Sequence, residues 1–288
     1  MPEVVFSIVI PTRGRPESLQ RCLQAIARLG YARERFEVVV VFDGEPAEAP
    51  RGLEQHLQIR SLTQAHTGPA AARNTGAAIA CGKYLAFIDD DCEPAANWLT
   101  ELERALDATT ECAVGGCVIS ALPGDPYATA SQMLVDYLCA YFNSDAGACF
   151  LTSNNLAAPR RVFLEVGGFD RSFPLAAAED RELCLRWRRS GRPLVYRESA
   201  VVHHYHAMNL RGFLRQHYGY GRGARHLRRV IAKSDARGIP MEPLHFYWGI
   251  LSYPWRSSAR PFSRLRLSAL LALTQASTVA GFLREGLA

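Results

Sequence analysis

The stretch Lys83-Tyr84-Leu85-Ala86-Phe87-Ile88-Asp89-Asp90-Asp91-Cys92 places an apolar, aromatic segment directly before three consecutive carboxylates. Residues 83–88 have the pattern of a buried strand. Three like charges at one strand end repel and raise one another's pKa. A hard divalent cation such as Mg²⁺ or Mn²⁺ removes that repulsion, because it takes carboxylate oxygens as ligands. The triplet alone therefore predicts either a metal site or a solvated acidic turn, and the neighbouring segments are needed to choose.

Two further strands are predicted upstream of the triplet. Val4–Ile10 is a β-branched run that ends at Pro11-Thr12, and Phe36–Phe42 is a second apolar run that ends at Asp43. A helix with apolar residues at helical spacing lies between them, over 17–29. Continuous apolar strands separated by a helix indicate a parallel sheet covered on both faces. We therefore expect Thr12, Asp43 and the acidic triplet to meet at one edge of the sheet, where such sheets bind ligands.

The segment Gly68–Ala80 precedes the strand of the acidic triplet and is rich in small residues. Such a composition suits a helix packed closely on a sheet. Arg73 and Asn74 are its long polar side chains. A lone arginine on a helix usually faces solvent, so the residue pattern alone gives Arg73 no role.

Polar motifs follow in the second half of the chain. Glu179-Asp180 begins a predicted amphipathic helix, where carboxylates either cap the helix and compensate its dipole or act as a positioned general base. Because a helix N-terminus stabilises negative charge, we expect a carboxylate there to be ionised at neutral pH. His203, His204 and His206 follow another short strand, and we expect one of them to be functional.

Together these residues resemble the inverting, metal-dependent family 2 glycosyltransferases, which have the nucleotide-diphospho-sugar transferase fold called GT-A. The resemblance covers about residues 5–205. Its motifs stand in family order: Ser7–Thr12, Val41–Gly44, Gly68–Gly76, Phe87–Asp91, Gly167–Asp170, Glu179-Asp180 and Leu185–Trp187. The resemblance implies an α/β fold with a mixed, mostly parallel sheet flanked by helices. It leaves a C-terminal helical extension outside the family match.

The resemblance also implies roles for individual residues. Nucleotide binding falls to the strand ends and the small-residue helix: Pro11, Thr12, Arg13, Asp43, Arg73, Asp89 and Asp90. Asp91 and Asp89 match the metal ligands of the family. Some members add a histidine ligand, and His203 or His204 matches that position, with His206 as the third choice. Asp180 matches the catalytic base, with Glu179 beside it. On family grounds, Asp43 fits a uracil or thymine base better than guanine.

The implied activity is transfer of a sugar, with inversion, from a nucleotide-diphosphate donor to an acceptor hydroxyl in cell-surface glycan or glycolipid synthesis, with Mg²⁺ or Mn²⁺. One alternative is a catalytically silent nucleotide-sugar-binding scaffold of the same fold. The presence of Asp89, Asp91 and Asp180 favours an enzyme instead. A nucleotidyltransferase is a second alternative, but such enzymes usually carry a glycine-rich loop after the first strand, and residues 11–15 lack one.

Composition is compatible with this interpretation. The 288 residues are 48% hydrophobic and 21% charged, which is ordinary for a globular protein, and the net charge of +5 suits an anionic substrate or membrane surface. The eight cysteines form no C-x-x-C pair, which indicates reduced thiols rather than a disulfide framework or a zinc site. The N-terminus has no secretory signal pattern, so we expect a cytoplasmic protein. We expect no nucleic-acid partner.

The predicted organisation is a nucleotide-sugar-binding half over 1–120, an acceptor-binding half over 121–207 and a helical extension over 208–288. Six arginines lie in 208–233. The sequence leaves open whether they form a solvated face, a lid on the diphosphate or a contact for anionic lipid. The glycines there are expected to weaken or bend the helix. Aromatic residues and arginines beside an apolar helix in 245–288 favour contact with the inner face of a membrane, at which the acceptor would be lipid-linked. The competing interpretation is a helix hairpin that packs on the core or on a second subunit of a homodimer.

Overall fold

A computed structural model describes residues 4–44, 52–53, 55–143, 147–173, 175–234, 241–256 and 261–286. The strands are β1 Phe6–Thr12, β2 Phe36–Asp43, β3 Ile59–Gln64, β4 Tyr84–Ile88, β5 Cys92–Pro94, β6 Ala113–Ser120, β7 Asn155–Pro159 and β8 Leu194–His204. The helices are α1 Pro16–Ala27, α2 Pro69–Ile79, α3 Trp98–Ala108, α4 Pro126–Phe142, α5 Arg160–Glu165, α6 Glu179–Arg189, α7 Leu210–Ser234, α8 Leu244–Ser252 and α9 Pro261–Gly286. Short 3₁₀ turns cover Arg33–Arg35 and Tyr253–Arg256.

The strands of the described residues form one mixed sheet in the order β3-β2-β1-β4-β7-β6-β8-β5. The first half is parallel, with Ile8 opposite Val38 and Val9 opposite Phe87. β1, β2 and β4 are buried at every position, because helices cover both faces. Parallel strands end at the same edge of a sheet. The carboxyl ends of β1, β2 and β4 therefore meet there, as the sequence predicts.

The second half of the sheet is antiparallel. β7 runs against β4, β6 runs against β7, and β5 runs against β8, with Cys92 opposite His204. This reversal returns the chain to the edge where the acidic triplet lies. α1 and α3 pack on one face through Leu23 and Trp98, and α2, α5 and α6 pack on the other through Phe163 and Trp187. The α/β fold with a mixed sheet is confirmed.

The chain divides into two compact units. The first contains the sheet and comprises 1–119, 143–174 and 180–205; the second comprises 120–142, 175–179 and 206–288. Within the second unit, α4 and α8 are joined by Tyr137, whose hydroxyl donates to the carbonyl of Phe246 at 2.9 Å. The boundaries at 120 and 207 that the sequence suggests for functional halves stay a prediction.

The glycines of α7 do not interrupt the helix, since α7 continues over 25 residues. They allow α7 and α9 to approach closely instead: a Cβ on Gly221 would lie 1.9 Å from the carbonyl oxygen of Thr278, and one on Gly281 2.0 Å from that of Tyr218. The missing side chains therefore let two backbones touch.

Several arginines of α7 are also not the solvated face that the sequence allows. Arg222 Nε lies 2.8 Å from Glu285, and the guanidinium of Arg229 lies 3.4 Å from the same carboxylate. The guanidinium groups of Arg225 and Arg228 lie over the ring of Phe282. These four side chains bind α9. Arg211 and Arg215 are exposed.

Candidate active site

The acidic triplet lies immediately after β4, and each carboxylate has a polar partner. Thr12 Oγ1 donates to Asp90 Oδ2 at 2.6 Å. Arg15, in the loop between β1 and α1, places one guanidinium nitrogen 2.5 Å from Asp90 Oδ1 and another 2.6 Å from Asp91 Oδ2. Arg73 from α2 donates to Asp89 Oδ1 at 2.7 Å. The triplet is therefore an organised cluster and not a solvated turn.

Asp90 is completely buried, whereas Asp89 keeps some contact with solvent. Burial raises the pKa of Asp90 to about 6, although Arg15 and the hydrogen bond from Thr12 act against that rise. Repulsion from Asp91 and Asp89 adds to it. Asp90 is thus the carboxyl that holds the loop after β1, and Asp89 and Asp91 flank it.

Arg73 is only 2% exposed, which excludes the solvent-facing position expected of a lone helical arginine. Its guanidinium lies over the ring of Phe169, 5.4 Å from the centroid. The next residue, Asn74, exchanges two hydrogen bonds with the backbone of Phe169, at 2.7 and 2.8 Å. Gly168 has φ +65°, and a Cβ there would lie 2.5 Å from Asn74 Oδ1. The hydrogen bonds of Asn74 therefore hold Gly168 and Phe169 against α2, a structural role that the sequence does not reveal.

Asp180 lies in the first turn of α6 and accepts hydrogen bonds from the backbone N–H groups of Arg181, at 2.7 Å, and Ser153. Burial raises the pKa of Asp180 above its ordinary value, and these hydrogen bonds and the positive charge of Arg73 oppose that rise. The direction is opposite to what the helix N-terminus alone suggests, because that argument omits desolvation. A raised pKa makes the carboxylate a stronger base. Glu179 beside it is buried.

His203, His204 and His206 have different partners in the structure. His204 Nε2 lies 3.4 Å from Asp91 Oδ1, because β5 and β8 place His204 opposite Cys92. His203 is exposed and stands opposite Glu93. It points to the other face of the sheet from His204, because neighbouring residues of a strand point to opposite faces. His206 Nε2 lies 2.7 Å from Gln216 Oε1. Of the three, the structure brings His204 to the acidic triplet.

A carboxylate of Asp91, the thiol of Cys92 and the imidazole of His204 lie within 4.8 Å of one another. Burial and the nearby aspartates raise the pKa of the Cys92 thiol well above its ordinary value, and sulfur is a soft ligand that a hard cation such as Mg²⁺ or Mn²⁺ does not prefer. Carboxylate and imidazole remain, a donor set that Mn²⁺ accepts and that suits Mg²⁺ less well because of its nitrogen. The residues present therefore fit a divalent cation at Asp91 and His204.

Asp43 ends β2 at the same edge, but its carboxylate is already engaged. It accepts hydrogen bonds from the N–H groups of Thr67 and Gly68, each at 2.9 Å, and from Gln64 and His66 at 2.9 and 2.8 Å. Burial favours a higher pKa, but the hydrogen bonds together lower the pKa of Asp43 below its ordinary value. Asp43 organises the loop before α2, and its contact with a nucleobase stays a prediction. Pro11 is buried inside β1, and Arg13 is exposed beside Gly44.

Sequence reasoning missed Arg15 and His66. Arg15 follows Thr12 by three residues, and a basic side chain one short loop beyond a strand end was a signal that could have pointed to the triplet. His66 had no such signal, because its contact with Asp43 depends on the register between β2 and β3.

A mixed sheet with a carboxylate cluster directly after a central strand is typical of the GT-A fold of the nucleotide-diphospho-sugar transferases. A mannosyltransferase of Pyrobaculum calidifontis, solved with GDP-mannose and Mn²⁺, superposes with a TM-score of 0.61 and 19% identity over 98% of this chain and 79% of that chain. TarS of S. aureus, solved with UDP-GlcNAc, superposes with a TM-score of 0.58 and 14% identity over 98% of this chain and 92% of that chain.

The sequence profile described as Glycosyl transferase family 2 matches residues 7–168, and this chain belongs to that family. Pre-mycofactocin glycosyltransferase of Mycobacterium tuberculosis is 28% identical over 232 residues, which cover 76% of this chain and 46% of the relative. The chain thus spans about half the length of that curated relative. The family resemblance expected from the motifs is confirmed.

Proposed function

We propose that this protein is a metal-dependent, inverting glycosyltransferase that moves a sugar from a nucleotide-diphosphate donor to an acceptor hydroxyl. One observation carries the proposal: buried Arg73 binds Asp89 at 2.7 Å, and its charge also acts on Asp180. The same buried cation therefore acts on Asp89, assigned to the nucleotide, and on Asp180, assigned as the base. The solved neighbours named above hold GDP-mannose and UDP-GlcNAc, which supports a nucleotide-sugar donor here.

Each residue has a defined task in this proposal. Asp91 and His204 would hold the divalent cation, which neutralises charge on the diphosphate as it leaves. Asp89 binds the ribose, and Arg73 holds Asp89 in place. Asp180 takes the proton of the acceptor hydroxyl while the acceptor oxygen bonds to the anomeric carbon and the nucleoside diphosphate departs. A base on the face opposite the leaving group is what direct inversion requires, as in inverting glycosidases.

Binding tests the donor site first. Thermal shifts with UDP, dTDP, GDP and CMP, each with and without Mn²⁺, are expected to show a metal-dependent rise with one nucleoside diphosphate, since a ligand of the folded state raises Tm by mass action. Asp91→Asn is expected to remove the metal-dependent part. An equal shift in that variant would contradict the metal assignment. No shift with any nucleotide would contradict the donor site, whereas a nucleotide shift without any turnover of nucleotide sugars would favour the silent scaffold. With the nucleoside triphosphates added to the screen, metal-dependent binding of a triphosphate in preference to its diphosphate would favour the nucleotidyltransferase.

Turnover then tests the base. Asp180→Asn is expected to keep the nucleotide shift but to lower release of nucleoside diphosphate from the matching nucleotide sugar by roughly 10²- to 10⁴-fold. Asp107→Asn is a matched control, because Asp107 contacts Tyr84 at the opposite end of β4. Substantial turnover by Asp180→Asn would remove Asp180 as the base.

We also propose that α8 and α9 bind an anionic membrane surface. On α8, Leu244 is 87% exposed and Trp248, one turn further, is 72% exposed. On α9, exposed apolar residues recur every three or four positions along one face: Leu265, Ala269, Ala272, Ala276, Val279 and Leu283. Arginines lie at both ends of this face: Arg264, Arg266 and Arg284.

An apolar face between cationic ends fits a helix that lies in the interface of an anionic bilayer. The helix over Ser263–Gly286 is long and apolar enough to span a membrane by length and composition, and 28% of its apolar window is buried in the protein. Trp255 Nε1 lies 3.2 Å from Ser268 Oγ, so an exposed indole adjoins the first turns of this face. Contact with the inner face of a membrane would bring a cytoplasmic enzyme to a lipid-linked acceptor.

Flotation with vesicles tests this surface. The protein is expected to bind vesicles that contain phosphatidylglycerol and not vesicles of phosphatidylcholine alone, and Trp248→Glu and Leu283→Glu are expected to abolish binding. Leu164→Glu changes a leucine that is exposed on α5 and serves as the control. Absence of binding together with a dimer in analytical ultracentrifugation that Leu283→Glu dissociates would favour the homodimer instead.

A further inference from the structure

Arg15 occupies an unusual position beside the acidic triplet. It is the residue directly before Pro16, where α1 begins, and its guanidinium bridges two carboxylates. One oxygen of Asp91 faces Arg15 at 2.6 Å, and the other faces His204 at 3.4 Å. A single carboxylate therefore stands between a permanent cation and the imidazole assigned to the metal.

We propose that Arg15 is the resident counter-ion of the acidic triplet and competes with the divalent cation for Asp91. This inference rests on the proposed metal-dependent function. Two buried carboxylates without a cation carry a large desolvation penalty, and Arg15 removes part of that penalty before any metal arrives. A guanidinium has no acceptor atom, so it cannot join the coordination of a metal, and its positive charge repels a second cation at the same carboxylate.

The contacts of Arg15 make its release feasible. Its side chain is 47% exposed, whereas Asp90 and Asp91 are buried, so the guanidinium reaches in from solvent. Gly14, which precedes it, has φ +61°, and a Cβ added there would meet no neighbouring atom within 4 Å. Asp90 retains the hydrogen bond from Thr12 when Arg15 leaves. Metal binding thus exchanges one cation for another at Asp91, and the buried Asp90 keeps the partner of one oxygen, Thr12, while its other oxygen loses the guanidinium.

The competition predicts that removal of Arg15 strengthens metal binding. Titration of the full chain with Mn²⁺ alone, followed by electron paramagnetic resonance of the free ion, measures this without donor or turnover. We expect Arg15→Gln to bind Mn²⁺ roughly three- to tenfold more tightly than the wild type, the scale of a half-exposed ion pair. Arg15→Lys keeps the charge but not the fork that bridges two carboxylates, and its affinity is expected to fall between the two.

Arg28→Gln is the matched control. It removes the same charge from the other end of α1, where Arg28 is exposed and lies 4.0 Å from Glu93. Its Mn²⁺ affinity is expected to stay within twofold of the wild type. A similar gain in Arg28→Gln would assign the effect to net charge and would overturn the competition. Melting followed by circular dichroism confirms that each variant is folded.

Two other outcomes also overturn the inference. Equal or weaker Mn²⁺ binding by folded Arg15→Gln would mean that Arg15 orients Asp91 for the metal or has no part in metal binding, while the metal site itself stands. Absence of Mn²⁺ binding by the wild type, Arg15→Gln and Asp91→Asn alike would instead refute the metal part of the proposed function, and the counter-ion role with it.

Discussion

His217 on α7 gives a prediction whose magnitude follows from the structure. The side chain is completely buried, and within the described residues neither ring nitrogen has a hydrogen-bond partner. The rings of Phe213 and Tyr220 pack against it, with centroids at 4.6 and 5.3 Å. Burial, with a smaller contribution from His206, lowers the pKa of His217 from 6.5 to about 4.

The sign follows from linkage. The pKa in the folded state lies below that in the unfolded state, so the unfolded chain binds more protons between these pH values. Stability is therefore lost as the pH falls from about 6.5 to about 4. The full loss is about 3 kcal/mol, since each pKa unit corresponds to about 1.4 kcal/mol. At pH 5 we expect about 2 kcal/mol of that loss.

Urea unfolding of the wild type and His217→Leu at several pH values between 4.5 and 8 measures this contribution. We expect the difference in unfolding free energy between the two proteins to shift by about 2 kcal/mol in favour of the variant on going from pH 8 to pH 5. His245→Leu, which changes an exposed histidine of α8, is expected to show no such shift. Parallel pH profiles for the wild type and His217→Leu would refute the argument.

Two further predictions concern the metal site and the packing of the C-terminal helices. His204→Ala is expected to weaken Mn²⁺ binding and His203→Ala to leave it unchanged, because His204 lies 3.4 Å from Asp91 whereas His203 stands opposite Glu93; electron paramagnetic resonance distinguishes them, and equal losses would contradict this register. Gly281→Ala is expected to destabilise the protein by about 1–3 kcal/mol, because its Cβ would lie 2.0 Å from the Tyr218 carbonyl oxygen. Thermal melting measures that loss, and Gly124→Ala, which has open space, is the control.

Periodicity and residue type were sufficient for much of the fold. The β-branched and aromatic runs before Thr12, Asp43 and Asp89 predicted three buried strands that end at one edge, and the structure has them there. The helix predicted over 17–29 is present as α1, Pro16–Ala27. These features are local, because a strand or helix reveals itself by a repeat of two or 3.6 residues.

Contacts between distant segments could not be predicted in the same way. The alternation of side chains along β8 allowed either His203 or His204 to face the acidic triplet, and only its pairing with β5 selects His204. Arginines on helices usually face solvent, so the residue pattern around Arg73 did not predict that it is buried. Its contacts, Asp89 and Phe169, are distant in sequence from Arg73. Glycines of α7 suggested a weak helix for the same reason, since the backbone of α9 that touches them lies about 60 residues away.

The sequence by itself determined the strands, the acidic triplet and the family, because each can be identified from residues that are close together along the chain. Only the tertiary structure decided that Arg15 bridges Asp90 and Asp91, that Asp43 is saturated by its own loop and that burial raises the pKa of Asp180. Hydrogen bonds, ion pairs and desolvation depend on which groups lie within a few ångströms in space. Separation along the chain says little about that distance once the sheet has brought its strand ends together.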